Sequence, residues 1–575
     1  MFQFTISDGG SLAPEHSIDN DSHKQHPDAA PVLLEFFESP AKNATEDNLH
    51  FELRHQSNTL ELFFDLFFIA NLSTFTATHS IIDLSTLVAY IGLFGILWFT
   101  WFQITMHDVR FAIDSVYERV CKVIQFIIFV GFALVGSSFN PGGKEHNNEI
   151  FQVLCWILFI SRLLLAIQYS VVLFFVRKKT TTLTLPLSMT IGSFVLCAGS
   201  YYAMTPAFAP ASGNGMGIYY VWYIILGVET AVVIGTASVW RNLSFKKTHL
   251  MERMGLLTLI VIGEGAIGVT KTVGKLMTRS GVTLEETALT ICIVLILVFL
   301  WMMYFDNHPH YHYGTIRQQI WAGLHFPLHL AIVGVVEGSQ QIALSRFVFK
   351  QLLSVQSALV RACVTENLDG TELASSVISA IENLNLKNKE QTALIIQDVY
   401  NASNMTGVCS VANTTNLPEL APVPAAFFDV LRDTFGAVFE ATDIKLPSDI
   451  EPVALARTTF FTIYVYYWSS IGIVFVASAT LLWLTRHKEH RPKQVDIWAL
   501  IGRALAALFA MGMLAAAASK VFLYRYIRSS AILPTVTVLI FLVVCFDRTG
   551  RQLGRRATRE YIQASRITSC FRGVW

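Results

Sequence analysis

The sequence predicts an all-α protein: a polytopic transmembrane helix bundle of about 12 spans, with the N and C termini both cytosolic. Three observations carry this reading. Charged residues make up only 15% of the 575, against roughly 25% in soluble domains, while 53% are apolar and the mean hydropathy is +0.48. Twelve stretches hold the roughly 20 apolar residues that cross about 30 Å of hydrocarbon, where lipid offers the backbone no hydrogen-bond partner. Lys and Arg crowd the loops of one side. The same composition excludes collagen, coiled coil and disordered chain. A formal net charge of zero gives nucleic acid no concentrated positive surface to bind.

The spans begin near Leu60, Leu84, Val120, Ile150, Leu183, Ile218, Met254, Ala288, Ile320, Thr458, Ile497 and Ala531. Residues 1–55, rich in His, Asp, Ser and Pro, read as a disordered cytosolic leader. The first span, LELFFDLFFIANLSTFTATHS, follows that leader and is therefore no cleaved signal peptide. Asn140-Pro141-Gly142-Gly143 punctuates the third span and Arg177-Lys178-Lys179 the fourth. Spans 1–9 occupy 56–342 and spans 10–12 occupy 456–547, with a basic cytosolic tail at 548–575. Arg177, Lys178, Lys179, Arg241, Lys246, Lys247, Arg486, Lys488, Arg491 and the seven tail arginines share one side. The opposite short loops hold Lys144, Lys271, Lys275, Arg279, Lys520, Arg525 and Arg528. The basic side is the cytosolic one.

Residues 343–455 form the one long connection and fall on the outer side as an extracellular or lumenal loop domain. Its sequons at Asn401, Asn404 and Asn413 are glycosylation candidates, since sequons are modified in the secretory lumen. Cys363 and Cys409 are a candidate disulfide, a bond that persists in that compartment. The blocks ALVRACVTEN and IENLNLKNKEQTALIIQDVY suggest short amphipathic helices in it. The expected location is a secretory-pathway, plasma or vacuolar-type membrane.

Charged side chains inside spans are costly and mark either a pathway or a structural pair. In span 1, Glu61 and Asp65 are four apart and share a face. Glu61 also suits the helix N-terminus as a capping residue; Asp65 lies a turn deeper, beyond what capping explains. In span 7, THLMERMGLLTLIVIGEGAIGV places His249, Glu252 and Arg253 at the cytosolic entrance as a candidate gate with Glu61. Glu264 returns to nearly the same face and, with hydrocarbon beginning near Met254, lies about 15 Å deep at 1.5 Å per residue. Gly263, Gly265 and Gly268 would let another helix or a solute approach it closely. Arg162 in span 4 and Glu229 in span 6 also fall near mid-span. Asp65, Glu229, Glu264 and Arg162 are therefore the transport or ion-binding candidates. A structural salt bridge, such as Glu264 with Arg162, is the rival reading.

In span 9, His325 and His329 flank Pro327 in GLHFPLHLAIVGVVEG, with Glu337 further on. An i, i+4 histidine pair relays protons or binds metal, or else the histidines are hydrogen-bonded in a kinked helix. His308, His310 and His312 in the loop before it alternate in a way that could chelate a metal. No cofactor is required by any of this; a metal ion is the alternative at the histidines. There is no Walker loop, HExxH, dinucleotide GxGxxG, GxSxG elbow or TVGYG-like filter, which argues against an enzyme or an ATP-driven pump. The helix entrances YERVCKVIQFIIFVGFA and MERMGLLTLIVIGEGA echo one another, as parallel repeats would.

Three segments together resemble the low-temperature-requirement A (LtrA) family of membrane proteins: ELFFDLFFIA at 61–70, HLMERMGLLTLIVIGEG at 249–265 and HFPLHLAIVGVVEG at 325–338. WFTWFQITMHDVRFAIDSVYER at 98–119 and WMMYFD at 301–306 are similar to that family's segments at corresponding places. The resemblance covers about 50–345 and resumes from about 455 to 547. It implies a polytopic helical protein and picks out Glu61, Asp65, His249, Glu252, Arg253 and Glu264. The leader, the basic tail and the long sequon-bearing loop depart from the family pattern. The expectation is a secondary transporter or ion-conducting bundle for protons, small cations or a coupled solute, with the lipid bilayer as its partner. The alternatives are a non-transporting protein of membrane organisation with structural ion pairs, and an intramembrane metal- or haem-binding protein. Oligomeric state stays open.

Overall fold

The computed structural model describes residues 35–39, 57–78, 81–141, 148–208, 217–243, 245, 248–280, 283–307, 315–386, 388–405, 407–409, 414–415, 423–441, 452–485 and 493–572. The expected leader at 1–55, apart from 35–39, and His308, His310, His312 and Asn413 lie outside the described residues.

The first eight helices are α1 (Thr59–Thr78), α2 (Leu84–Phe111), α3 (Val116–Gly136), α4 (Asn148–Arg177), α5 (Thr184–Met204), α6 (Tyr220–Val239), α7 (Leu250–Ser280) and α8 (Leu284–Phe305). Then come α9 (Thr315–Gly323), α10 (His325–Val360), α11 (Gly370–Glu382), α12 (Lys389–Ser403) and α13 (Phe428–Ala441). The chain closes with α14 (Pro452–Leu484), α15 (Lys493–Ala516), α16 (Lys520–Arg528) and α17 (Ile532–Arg572). Apart from a two-residue antiparallel pairing of Thr414–Thr415 with Val423–Pro424, the regular structure described is helical. Among the described residues, twelve helical segments are long and apolar enough to cross a membrane, with α9 and α10 together supplying one of them.

Short polar connections cap these helices as the sequence requires. Asp83 accepts the Thr86 N–H at 2.8 Å to start α2, Ser115 starts α3 and Thr283 starts α8. The break between α9 and α10 has its cause in Pro327. A proline has no N–H to offer the carbonyl four residues back, Gly323, and it is tolerated only in a first helical turn. The helix therefore ends at Gly323 and restarts at His325, so the expected kink is a boundary.

Packing follows the hairpins: α4 on α5, α14 on α15 and α15 on α17, with α10 laid against α7 and α14. α2 and α10 run deepest, 78% and 61% of their apolar windows being buried against 33% for α6, α8 and α15. Rows of exposed Leu, Ile, Val and Phe on the outer helices suit lipid. α10 runs 18 residues beyond position 342, where the sequence placed the end of span 9, and carries the chain into a cap of α11, α12 and α13. A disulfide joins Cys363 to Cys409 across this cap. At the other end, α17 continues without interruption through the basic segment that starts at 548.

Gly265 and Gly268 mark close helix approaches, but Gly263 does not. A Cβ at 265 would lie 2.6 Å from Leu297 Cδ2 and 2.9 Å from Val336 Cγ1, whereas one at 263 would meet nothing within 4 Å. Gly265→Leu is therefore expected to destabilise the α7–α8–α10 contact by about 1–3 kcal/mol. Gly263→Ala should leave it unchanged, both being readable in detergent-solubilised unfolding curves.

Candidate functional site

On α1, Glu61 and Asp65 face His249, just before α7, and Arg253, in its first turn. Arg253 grips Asp65 with two hydrogen bonds of 2.8 Å, and Trp101 Nε1–H donates a third to the same carboxylate at 2.8 Å. The Arg253 guanidinium also lies 5.7 Å from the Trp101 ring centroid. His249 Nε2 is 3.1 Å from Glu61 Oε2, and Arg253 Nε is 4.0 Å from the same oxygen. All four side chains are buried. Three of the four gate residues are thus brought together. Glu252 is not: its contact is with the Ser57 N–H at 3.4 Å. Asp65, expected as an exchanging or coordinating carboxylate, is instead saturated by a guanidinium that stays charged at any physiological pH.

The second mid-span group is also an arginine–carboxylate pair, with Arg162 Nη2 and Glu229 Oε1 left without a hydrogen-bond partner among the described residues. Arg162 Nε donates to Glu229 Oε2 at 2.9 Å, and its Nη1 donates to Thr100 and Ser161 hydroxyls at 2.9 and 3.2 Å. Both charged side chains are fully buried. Glu229, like Asp65, has an arginine opposite it, and Arg162 answers Glu229 rather than Glu264. Each pair bridges two helices with both charges buried, Asp65 on α1 to Arg253 on α7 and Arg162 on α4 to Glu229 on α6.

The span-9 histidines differ from the expectation of a metal pair. Trp98 Nε1–H can only donate, so His329 Nδ1 accepts it at 3.1 Å, which leaves Nε2–H to face Thr258 Oγ1 at 2.8 Å. The Trp321 carbonyl can only accept, so His325 Nδ1–H donates to it at 2.8 Å, while Nε2 meets the Tyr304 hydroxyl at 2.9 Å. All four ring nitrogens are engaged by protein groups, leaving no lone pair for a metal. The rings, 5.4 Å apart between centroids, are not hydrogen-bonded to one another, which removes the direct relay. Among the described residues no group of three or more His, Cys, Asp or Glu could hold a metal ion.

Glu264 stands in a different setting. It is 7% exposed and lines a cavity of about 110 Å³ between α1, α7, α10 and α14, towards the cap end of the bundle. Its polar neighbours are the Ser73 hydroxyl and the Lys271 ammonium, and Lys271 in turn reaches Ser73 Oγ at 3.2 Å. Glu264 Oε2 has no hydrogen-bond partner among the described residues. Glu337 on α10 lines the same cavity, as do Gln340 and Gln341. Gln341 Nε2 donates to Glu337 Oε1 at 2.9 Å, and Tyr466 O–H donates to Gln341 Oε1 at 3.0 Å, which orients the amide. Eleven residues of α7, about 16 Å at 1.5 Å per residue, separate Glu264 from Arg253. The buried Leu257, Thr258 and Val261 occupy that interval.

Two buried ion pairs escaped the sequence reading. Lys122 on α3 pairs with Asp108 on α2 and also donates to Gln125 at 2.8 Å. Arg503 on α15 grips Asp547 on α17 at 2.6 and 2.9 Å, with Asn307 adding a bond of 2.9 Å. Arg503, inside the apolar run IWALIGRALAALFA, was a visible signal. Asp108, Lys122 and Asp547 lie near span ends and look like ordinary flanking charges.

Residues 56–363 match the family model described as bacterial low temperature requirement A protein (LtrA). No curated protein and no solved structure matches the chain. The match takes in α1 through α10 and therefore the Asp65, Glu229 and Glu264 settings; Arg503 and Asp547 lie beyond it.

Proposed function

The chain belongs to the LtrA family, an integral membrane protein with twelve apolar helices, and from that footing we propose that it is a secondary transporter or ion-conducting protein for protons or small cations, with or without a coupled solute. The observation that carries this reading is the contrast at mid-span. Asp65 and Glu229 each have an arginine, whereas Glu264 has no arginine partner among the described residues and lines a cavity shared with Glu337 and Lys271. A buried carboxylate in such a place attracts a cation or exchanges a proton. Glu337 shares the load from α10. The Glu61–His249–Arg253–Asp65 cluster seals the opposite end of the α1–α7 seam, as a closed gate does.

Orientation belongs to the same proposal. The basic loops and tail face the cytosol, and the cap faces the outside or a secretory lumen. Asn401 and Asn404, both exposed on the cap, are its glycosylation sites. A second reading, membrane organisation without transport, is favoured by the two arginine pairs, which are what a purely architectural core would contain. The experiment is ion movement in liposomes containing the purified protein. Glu264→Gln is expected to slow it roughly 10²-fold, and unaltered flux in that variant would reject the proposal in favour of the architectural reading.

A further inference from the structure

The geometry points to a monovalent organic ammonium ion with a short apolar body as the ligand of the Glu264–Glu337 cavity. This deepens the transport reading and rests on it for what binding accomplishes. Charge comes first. Glu264, Glu337 and Lys271 are the charged residues lining the cavity, so with all three ionised one negative charge is left over. One monovalent cation balances it. Two buried oxygens of the lining, Glu264 Oε2 and Thr459 Oγ1, have no hydrogen-bond partner among the described residues, and both suit an ammonium N–H.

Size and wall chemistry separate an organic cation from an inorganic one. On the scale where a single water needs about 10–15 Å³, a cavity of about 110 Å³ holds roughly seven water-sized positions. A bare alkali ion would leave most of that space to water against aliphatic walls. Those walls include Val261, Val333, Val336, Leu344 and Ile463. A divalent ion calls for about six to eight oxygen ligands, and the described residues contain no carboxylate group of the kind that supplies them. An alkylammonium of about five to seven non-hydrogen atoms satisfies both halves of the cavity, its charged end at the carboxylates and its stem against the aliphatic residues. Glu337 is already oriented for this by Gln341, whose own amide is fixed by Tyr466.

The test uses the full chain purified in detergent and reads thermal stabilisation by butylammonium chloride against sodium chloride at equal ionic strength. Butylammonium is expected to stabilise at a concentration at least roughly tenfold below any effect of sodium. Glu264→Gln should weaken it by at least roughly tenfold, the worth of one hydrogen bond to a charged group, and Glu264→Asp should recover part of the loss. Glu337→Gln gives the same readout should the first variant fail to fold. Equal stabilisation by the two salts, or full butylammonium binding in both Gln variants, overturns the inference. Protons moving through liposomes with no butylammonium binding would overturn this ligand and leave the transport reading standing. Butylammonium binding lost in Glu264→Gln, with no flux of any kind, would support the ligand and remove the transport reading.

Discussion

Arg253→Met should cost about 3–5 kcal/mol of stability, because it strands the Asp65 carboxylate in the core with its two guanidinium hydrogen bonds gone. The Trp101 bond that remains cannot neutralise a charge. The double variant Asp65→Leu with Arg253→Met should recover most of that loss, since a buried ion pair and well-packed apolar residues of similar volume are often close in free energy. Unfolding in mixed micelles, followed by tryptophan fluorescence, measures both. A single variant as stable as the parent would mean that the cluster is wet, and the Asp65 pair would then be a moving part rather than a brace. Arg162→Met, facing Glu229, is expected to behave in the same way.

The second large effect is on flux. Once Glu264 is neutralised, a cation at that depth loses its compensating charge. The lower of the measured scales for a charge at the bilayer centre puts the cost at about 2.5–3.5 kcal/mol, a slowing of roughly 10²-fold in the step that passes Glu264. Stability should move little, because no arginine depends on Glu264 and its Oε2 has no partner to lose. Glu264→Gln and Arg253→Met are thus expected to separate cleanly, the first losing flux while keeping its fold, the second losing stability. Their coincidence, with both variants unstable, would place Glu264 among the structural charges.

The fold was largely legible because membrane insertion writes itself into composition: each span is a charge-poor run of the required length, bounded by polar punctuation. The extension of α10 past 342 was not, since SRFVFKQLLSVQSALV mixes charge and apolar residues and continues as a helix by packing on α11, α13 and α14 rather than by facing lipid. Pro327 was visible, but whether it kinks a helix or starts one depends on the helix before it.

For the site, sequence gave depth but not direction. Asp65, Glu229 and Glu264 all read as mid-span carboxylates of one kind, and only the packing of α1 on α7 and of α4 near α6 tells which has an arginine opposite. Arg162 and Glu229 are 67 residues apart, with nothing local linking them. Likewise His325 and His329 carried a metal-like spacing, whereas Trp98, Thr258, Tyr304 and the Trp321 carbonyl, from four other helices, decide what their nitrogens do. Glu337 joins a site only through Glu264, which lines the same cavity from α7.

Glu264 is expected to face a hydrated space, and Glu229 to lie in a dry, paired core. Cysteine accessibility addresses it most directly, in a background where the free cysteines, including Cys121, Cys155, Cys197, Cys292 and Cys545, are replaced and the Cys363–Cys409 disulfide is kept. In intact proteoliposomes, a small charged methanethiosulfonate should label Glu264→Cys readily from the cap side and leave Glu229→Cys unlabelled. A cysteine at 264 as inert as one at 229 would contradict the account.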